Sequence, residues 1–322
     1  MKRGADVAVP QEAAVAAEGR SLPLRRRRRF AWEPYGLISP VVAAIVIILG
    51  YPAYKLVRLS FERYGLFELV AKKGHWIGLK NYGSVLHDNV FWDAVVRTVV
   101  FTIANVGLTI VLGTLIALLL VRIGPIVRTL LLGGLILVWA MPVVVAVQVF
   151  YWMTNFENGV LTYVLAQLHL TKDHHDWYAT SFSALSMVTL LIVWGALPFV
   201  VVSVYAGLAQ VPHELVEAAA IDGAGPLRIF RDVTFPVLKP ILLILTSLSI
   251  IWDFGVFAQP YLLIGSSHVD ATNYLMGVYV FIKGFGAHDF GRGAAISLLM
   301  LAMVASLSVF YVRQMVQAGD VE

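Results

Sequence analysis

Asp253 is the residue whose chemistry is hardest to explain by packing, because it is the only carboxylate deep within any of the long apolar segments. A charge in hydrocarbon is costly unless it faces a partner, a water-filled path or a bound solute. Trp252 is its neighbour, and Gln148, Tyr151, Trp152, Trp194 and Gln259 lie in other apolar segments or further along the same one. Aromatic faces and amide donors of this kind suit sugar rings and their hydroxyls. Each residue singly also fits a plainer role, the aromatics as an interfacial belt and Gln148 as a helix-packing group. Asp253 equally fits a structural anchor, and Arg97 is its available counter-charge only at equal depth.

Other reactive groupings fail on spacing. His169, Asp173, His174, His175 and Asp176 cluster in one loop, but the spacing is not helical and nothing fixes it, so a solvated loop is expected and no metal site. The run from Gly284 to Gly293 has the glycines of a phosphate loop without a Gly-Lys-Ser/Thr ending, and a turn explains it. With no cysteine there is no thiolate ligand, disulfide or thiol nucleophile. Neither a Walker motif, Gly-x-Ser-x-Gly nor His-Glu-x-x-His occurs, so no catalytic residue is expected and the chain is not expected to hydrolyse ATP.

The elements that must position these groups are membrane helices. Of the 322 residues, 59% are hydrophobic and only 14% charged, which makes lipid the main solvent. The net charge of +4 comes largely from Arg25 to Arg29 beside the first apolar stretch, where a cytoplasmic anchor belongs, and so does not argue for nucleic acid. Six segments are long enough to cross a bilayer as helix: residues 35–59, 94–121, 127–153, 181–208, 237–264 and 294–312. The first is too long for a signal-peptide core and is expected to be retained. The arginine-rich tail, residues 1–30, places both termini in the cytoplasm, and residues 31–318 form the transmembrane domain. Pro40, Pro52, Pro142, Pro198 and Pro260 fall in or at the ends of spans, where each removes a backbone hydrogen bond and bends the helix.

Between the fourth and fifth spans, residues 211–240 are punctuated as two short helices. Pro212 suits a first helical position, Glu214 and Glu217 the N-terminal half, and Gly223 the left-handed residue that closes a helix. A second helix starts at Pro226 and is expected to stop before Pro236, with Leu227, Phe230 and Val233 as an apolar stripe toward the membrane. Ala218, Ala219 and Ala220 offer almost no bulk, so another protein's backbone can approach closely, with Glu217 as a charge offered to it. On spacing alone, a structural amphipathic loop fits as well.

The order Glu217-Ala218-Ala219, Asp222-Gly223-Ala224 and Phe235-Pro236 resembles the EAA loop of binding-protein-dependent ABC permeases. Ile77-Gly78-Leu79-Lys80-Asn81-Tyr82 and Phe290-Gly291-Arg292-Gly293 are similar to segments of maltose-type sugar permeases. The resemblance implies an all-α, six-helix type I importer permease in a bacterial plasma membrane. It also implies that the loop docks on an ATPase through Glu217, Ala218, Ala219, Asp222, Gly223 and Pro236. Implied partners are a second permease, of a different chain, two ATPase subunits that hold ATP and magnesium, and an extracytoplasmic binding protein. The expected function is alternating-access import of a di- or oligosaccharide. Phe257-Ala258 and Arg97-Thr98 depart from the family where Phe-Asp and Asn-Thr are common, which bears on the solute or binding protein served. The rivals are a permease for another solute and an ion-coupled transporter using Asp253, which would be expected to show internal repeats; none is evident.

Overall fold

The computed structural model describes residues 33–170, 175–265 and 270–319. The arginine-rich tail, Asp173 and His174 therefore lie outside the described residues. The chain divides into two units, Met1–Ala53 and Tyr54–Glu322. The first unit begins the span Tyr35–Ser60. Its side chains from 35 to 53 are exposed, and a π-turn at Val46–Gly50 precedes Pro52.

In the second unit the helices Asn89–Arg122, Ser181–Leu208, Pro226–Phe254 and Phe290–Gln314 are each long and apolar enough to cross a membrane. Asp88 starts the first of these by accepting a hydrogen bond from Val90 N–H at 3.0 Å, and Thr180 starts the next by accepting one from Ser183 N–H at 3.2 Å. The chain is thus a multi-pass helical membrane protein.

Three expectations are corrected. The segment 127–153 is not one straight span: Pro125–Trp139 and Val143–Met153 meet at 101°. Pro142 removes an N–H and pushes Met141 out of the helical region, so the bend falls there, whereas Pro198 is carried within an unbroken helix. The segment 237–264 is also interrupted: the helix ends at Phe254, Gly255 caps it, and a short helix Ala258–Ile264 follows. Gly277 of the helix Met276–Gly286 crosses this break so closely that a Cβ on it would lie 2.4 Å from the Val256 carbonyl oxygen. Finally, Pro236 does not stop the helix that starts at Pro226. A π-turn, Phe230–Thr234, widens the backbone just before the proline, and the helix runs on to Phe254. Pro52 follows a π-turn at the same two-residue distance.

The turn expected across Gly284–Gly293 is confined to 287–289, because Gly284 lies inside the helix Met276–Gly286. Gly284 and Gly293 instead let two helices touch backbone to backbone: a Cβ on Gly293 would sit 2.6 Å from Gly284 Cα.

The core is layered along the bundle. Val85, Phe91, Ala94, Met276, Tyr279 and Ile296 fill the end near the 61–88 segment. Phe101, Val147, Val188, Leu191 and Leu263 pack in another cluster, and Ala117, Leu120, Val200, Val204 and Leu238 pack toward the 209–225 loop. The second and fourth spans approach closely because the contact face carries small residues: a Cβ on Gly113 would lie 2.6 Å from Val200 Cγ1, and Thr98, Thr102, Asn105 and Thr109 are buried along the same helix.

The two segments that carried the resemblance outside the loop are packed together. Asn81 Nδ2 donates to Ser60 O and Glu62 O, both at 2.9 Å, fixing the short strand Glu62–Arg63. Gly291 N–H donates to Tyr64 O at 3.1 Å, at the entry to the last span.

Candidate functional site

The loop helix His213–Ile221 begins one residue later than expected, with Pro212 as its N-cap. Its end is a complete Schellman closure: Gly223 N–H donates to Ala220 O at 3.1 Å, Ala224 N–H to Ala219 O at 3.0 Å, and Gly223 has φ +79°. The left-handed glycine read from the sequence is therefore present. Glu217, Ala218, Ala220 and Asp222 are exposed and Ala219 half-buried, so the small-residue surface is open. Ile221 is 86% exposed and Leu227 81% exposed, an amount of bare apolar surface that suits a protein partner. Leu227 thus leaves the expected stripe. Phe230, Val233 and Leu238 face inward while Leu227 does not.

Some 17 residues of helix, about 26 Å at 1.5 Å per residue, separate Pro236 from Asp253. There a cavity of about 290 Å³ opens, lined by Asp253, Trp252, Trp194, Gln259, Trp139 and Phe199 among others. Four of the seven residues singled out in the sequence thus share one space, while Trp152 is exposed and outside it. Trp139 and Phe199 stack with ring centroids 6.4 Å apart, and Phe199 meets Trp252 at 5.5 Å, forming a continuous aromatic wall. Asp253 is 8% exposed, and among the described residues its carboxylate has no hydrogen bond or ion pair. Gln148 and Tyr151 are not in this cavity. They line a separate recess of about 370 Å³ with Asn155, Asp176 and Tyr178. Tyr178 hydrogen-bonds Thr154 at 2.6 Å, and burial pushes its hydroxyl up to about 12.

Arg97 is not the counter-charge of Asp253. Its Nη1 donates to Tyr274 O at 2.8 Å and Ala271 O at 3.5 Å, which ties the 270–275 segment to the second span. Met276 N–H donates to Thr98 Oγ1 at 2.8 Å beside it. The Arg97-Thr98 departure noted in the sequence is therefore a clamp on this segment. Trp139 and Phe199 were missed because they read as ordinary interfacial or core aromatics; the signal was the proline next to Met141, which bends Trp139 into the cavity.

Comparison with known proteins places this geometry. Residues 109–318, which hold both the loop and the cavity, match the family described as binding-protein-dependent transport system inner membrane component. The chain is 42% identical over 288 residues to the diacetylchitobiose uptake system permease protein DasB of Streptomyces coelicolor, covering 89% of this chain and 87% of that one. It is 29% identical to the trehalose/maltose transport system permease protein MalF of Thermococcus litoralis, covering 91% and 97%. A chain of a bacterial ABC transporter that imports alginate shares the fold with a TM-score of 0.75 at 16% identity, covering 89% of this chain and 96% of that one. A loop closed by Gly223 at one end of a helix and an aromatic cavity at the other are thus arranged on a known scaffold, and the chain belongs to the family of binding-protein-dependent transport system inner membrane components.

Proposed function

We propose that this chain is one transmembrane subunit of an ATP-driven importer that moves a di- or oligosaccharide inward by alternating access. Both termini then face the cytoplasm, as does the 211–240 loop. ATP and magnesium are handled by two partner ATPase subunits, so this chain is not itself an enzyme, and a second permease chain completes the pore. The observation that carries the reading is the aromatic cavity around Asp253, set on the same helix as the loop and about 26 Å from it. Closure of the ATPase pair displaces the loop through Glu217, Ala218, Ala219, Asp222 and Gly223, with Pro236 at the root of the helix. That rigid helix carries the displacement to the cavity. There the Trp139, Phe199 and Trp252 faces meet the apolar faces of sugar rings, while Asp253 and Gln259 accept from and donate to their hydroxyls. Gln148 and Tyr151 belong to the outer approach to this space.

Diacetylchitobiose is the first solute to test, because the relative at 42% identity is named for its uptake. Permease, its companion chains and binding protein are reconstituted in liposomes, and labelled diacetylchitobiose, maltose and trehalose are offered with and without internal ATP. ATP-dependent accumulation of at least one is expected. Glu217→Lys is expected to abolish uptake while ATP is still hydrolysed. Uptake that follows a proton gradient without ATP would refute the importer reading, and unchanged uptake in Glu217→Lys would remove that residue from the mechanism.

A further inference from the structure

Arg128 stands in the first turn of the half-helix Pro125–Trp139, and its guanidinium spans three helices. Nε donates to Leu120 O at 2.8 Å, and Nη2 donates to Ile123 O at 2.9 Å and Val121 O at 3.3 Å. These are carbonyls at the C-terminal end of the second span, which lack partners within their own helix and attract positive charge. Nη1 points elsewhere. It donates to the Tyr205 hydroxyl at 3.2 Å, and the guanidinium carbon lies 5.7 Å from the Tyr205 ring centroid.

Tyr205 occupies the last turn of the fourth span, where its carbonyl accepts from Ala209 N–H at 3.3 Å, and the loop helix begins only four residues after Ala209, at His213. Two residues beyond Tyr205, Gly207 is pressed on the fifth span so tightly that a Cβ would lie 2.5 Å from Ile241 Cδ1. The end of the fourth span is thus held by the fifth on one side and by Arg128 on the other. Capping the second span uses only Nε and Nη2. The Nη1 arm adds nothing to that cap and serves only to join it to the fourth span. A lysine, with one nitrogen on a flexible stem, cannot hold both partners in fixed directions.

Resting on the importer reading, we infer that the Arg128–Tyr205 link carries displacement of the loop helix from the fourth span into the second and third, which makes Arg128 a positioning residue for coupled transport. Through the third span that displacement reaches Trp139 and the bend beside the cavity. The link therefore gives the loop a second route to the cavity, separate from the fifth span.

The test is the ratio of sugar imported to ATP hydrolysed, measured in the reconstituted complex with whichever of labelled diacetylchitobiose, maltose or trehalose the wild type imports. Tyr205→Leu removes the hydroxyl and the ring face but leaves Arg128 on the carbonyls of the second span. The complex is expected to assemble and hydrolyse ATP, while sugar moved per ATP falls about five-fold, the lower end of inter-site coupling. Tyr205→Phe keeps the ring and is expected to lie between that variant and wild type, and it carries the test if Tyr205→Leu fails to assemble. Arg128→Lys is expected to resemble Tyr205→Leu. A wild-type ratio in both tyrosine variants overturns the link and leaves Arg128 a helix cap. A wild-type complex whose uptake ignores ATP overturns the importer reading instead, a different result.

Discussion

Replacing Gly291 by alanine tests whether the 61–88 segment is locked onto the last span as the geometry requires. The new Cβ would lie 2.3 Å from Glu62 O, 3.1 Å from Asn81 Nδ2 and 3.3 Å from Tyr64 N. Since a carbon and a carbonyl oxygen rest no closer than about 3.3 Å, the strand must withdraw by about 1 Å. The withdrawal strains the Gly291–Tyr64 bond of 3.1 Å and the Asn81–Glu62 bond of 2.9 Å. Overpacking of this kind costs about 1–3 kcal/mol, and a buried donor left without its acceptor about 1–3 kcal/mol more; with the bonds strained rather than lost, roughly 3 kcal/mol, toward the lower end of the sum, is expected. For a chain of this size each kcal/mol moves the midpoint by about 2–4 °C, giving a fall of about 6–12 °C. Thermal unfolding of the purified permease, followed by tryptophan fluorescence, measures it. Gly133→Ala serves as the control, because a Cβ there meets nothing within 4 Å. A Gly291→Ala midpoint within about 1 °C of that control would refute the close approach and the packing built on it.

Trp252→Ala is expected to raise the KM for sugar uptake roughly two- to thirteen-fold, from the loss of about 0.5–1.5 kcal/mol of aromatic contact; concentration-dependent uptake decides it. Gly223→Ala has open space but must hold φ +79°, so the loss of about 1–2 kcal/mol is conformational. ATP-dependent uptake should fall in Gly223→Ala and fall less in Gly223→Asn, since asparagine tolerates the left-handed region. At Asp88, burial alone would push the carboxyl up. Hydrogen bonds from Tyr279 O–H and Val90 N–H, together with Lys283 at 3.3 Å, outweigh it and hold the group below its usual range. A depressed carboxylate stabilises the fold above its unfolded value, about 3.9, and that contribution is lost as pH falls through the folded value. The stability gap between wild type and Asp88→Asn should therefore be full at neutral pH and narrow below about pH 4, as followed by thermal midpoints across pH.

Much of the fold was legible because membrane helices announce themselves by length and polarity, and the loop because proline and glycine mark helix ends. The first loop helix and the positive φ at Gly223 followed from residue type alone. What was not legible arose where two local rules compete. Pro236 and Pro142 carry the same instruction, to stop a helix, yet one is absorbed by a π-turn and the other produces a sharp bend. The difference lies in backbone spacing before the proline, which side-chain periodicity does not encode. The break at Gly255 was hidden in an apolar run, because the residue packed against it, Gly277, lies some twenty residues away in sequence. For the site, residue chemistry found Asp253, Trp252, Trp194 and Gln259, but only the bend could add Trp139 and separate Gln148 and Tyr151.

The bend at Met141–Pro142 also bears on how such permeases diversify. Met141 lies within the three-residue break 140–142 and Trp139 and Val143 flank it, all three lining the cavity, whereas the loop joins helices that have no such bend. Substitutions around that break reshape the cavity without altering the register of any long helix. On the proposed function, solute preference can therefore drift over generations while the loop keeps its fit to the same ATPase.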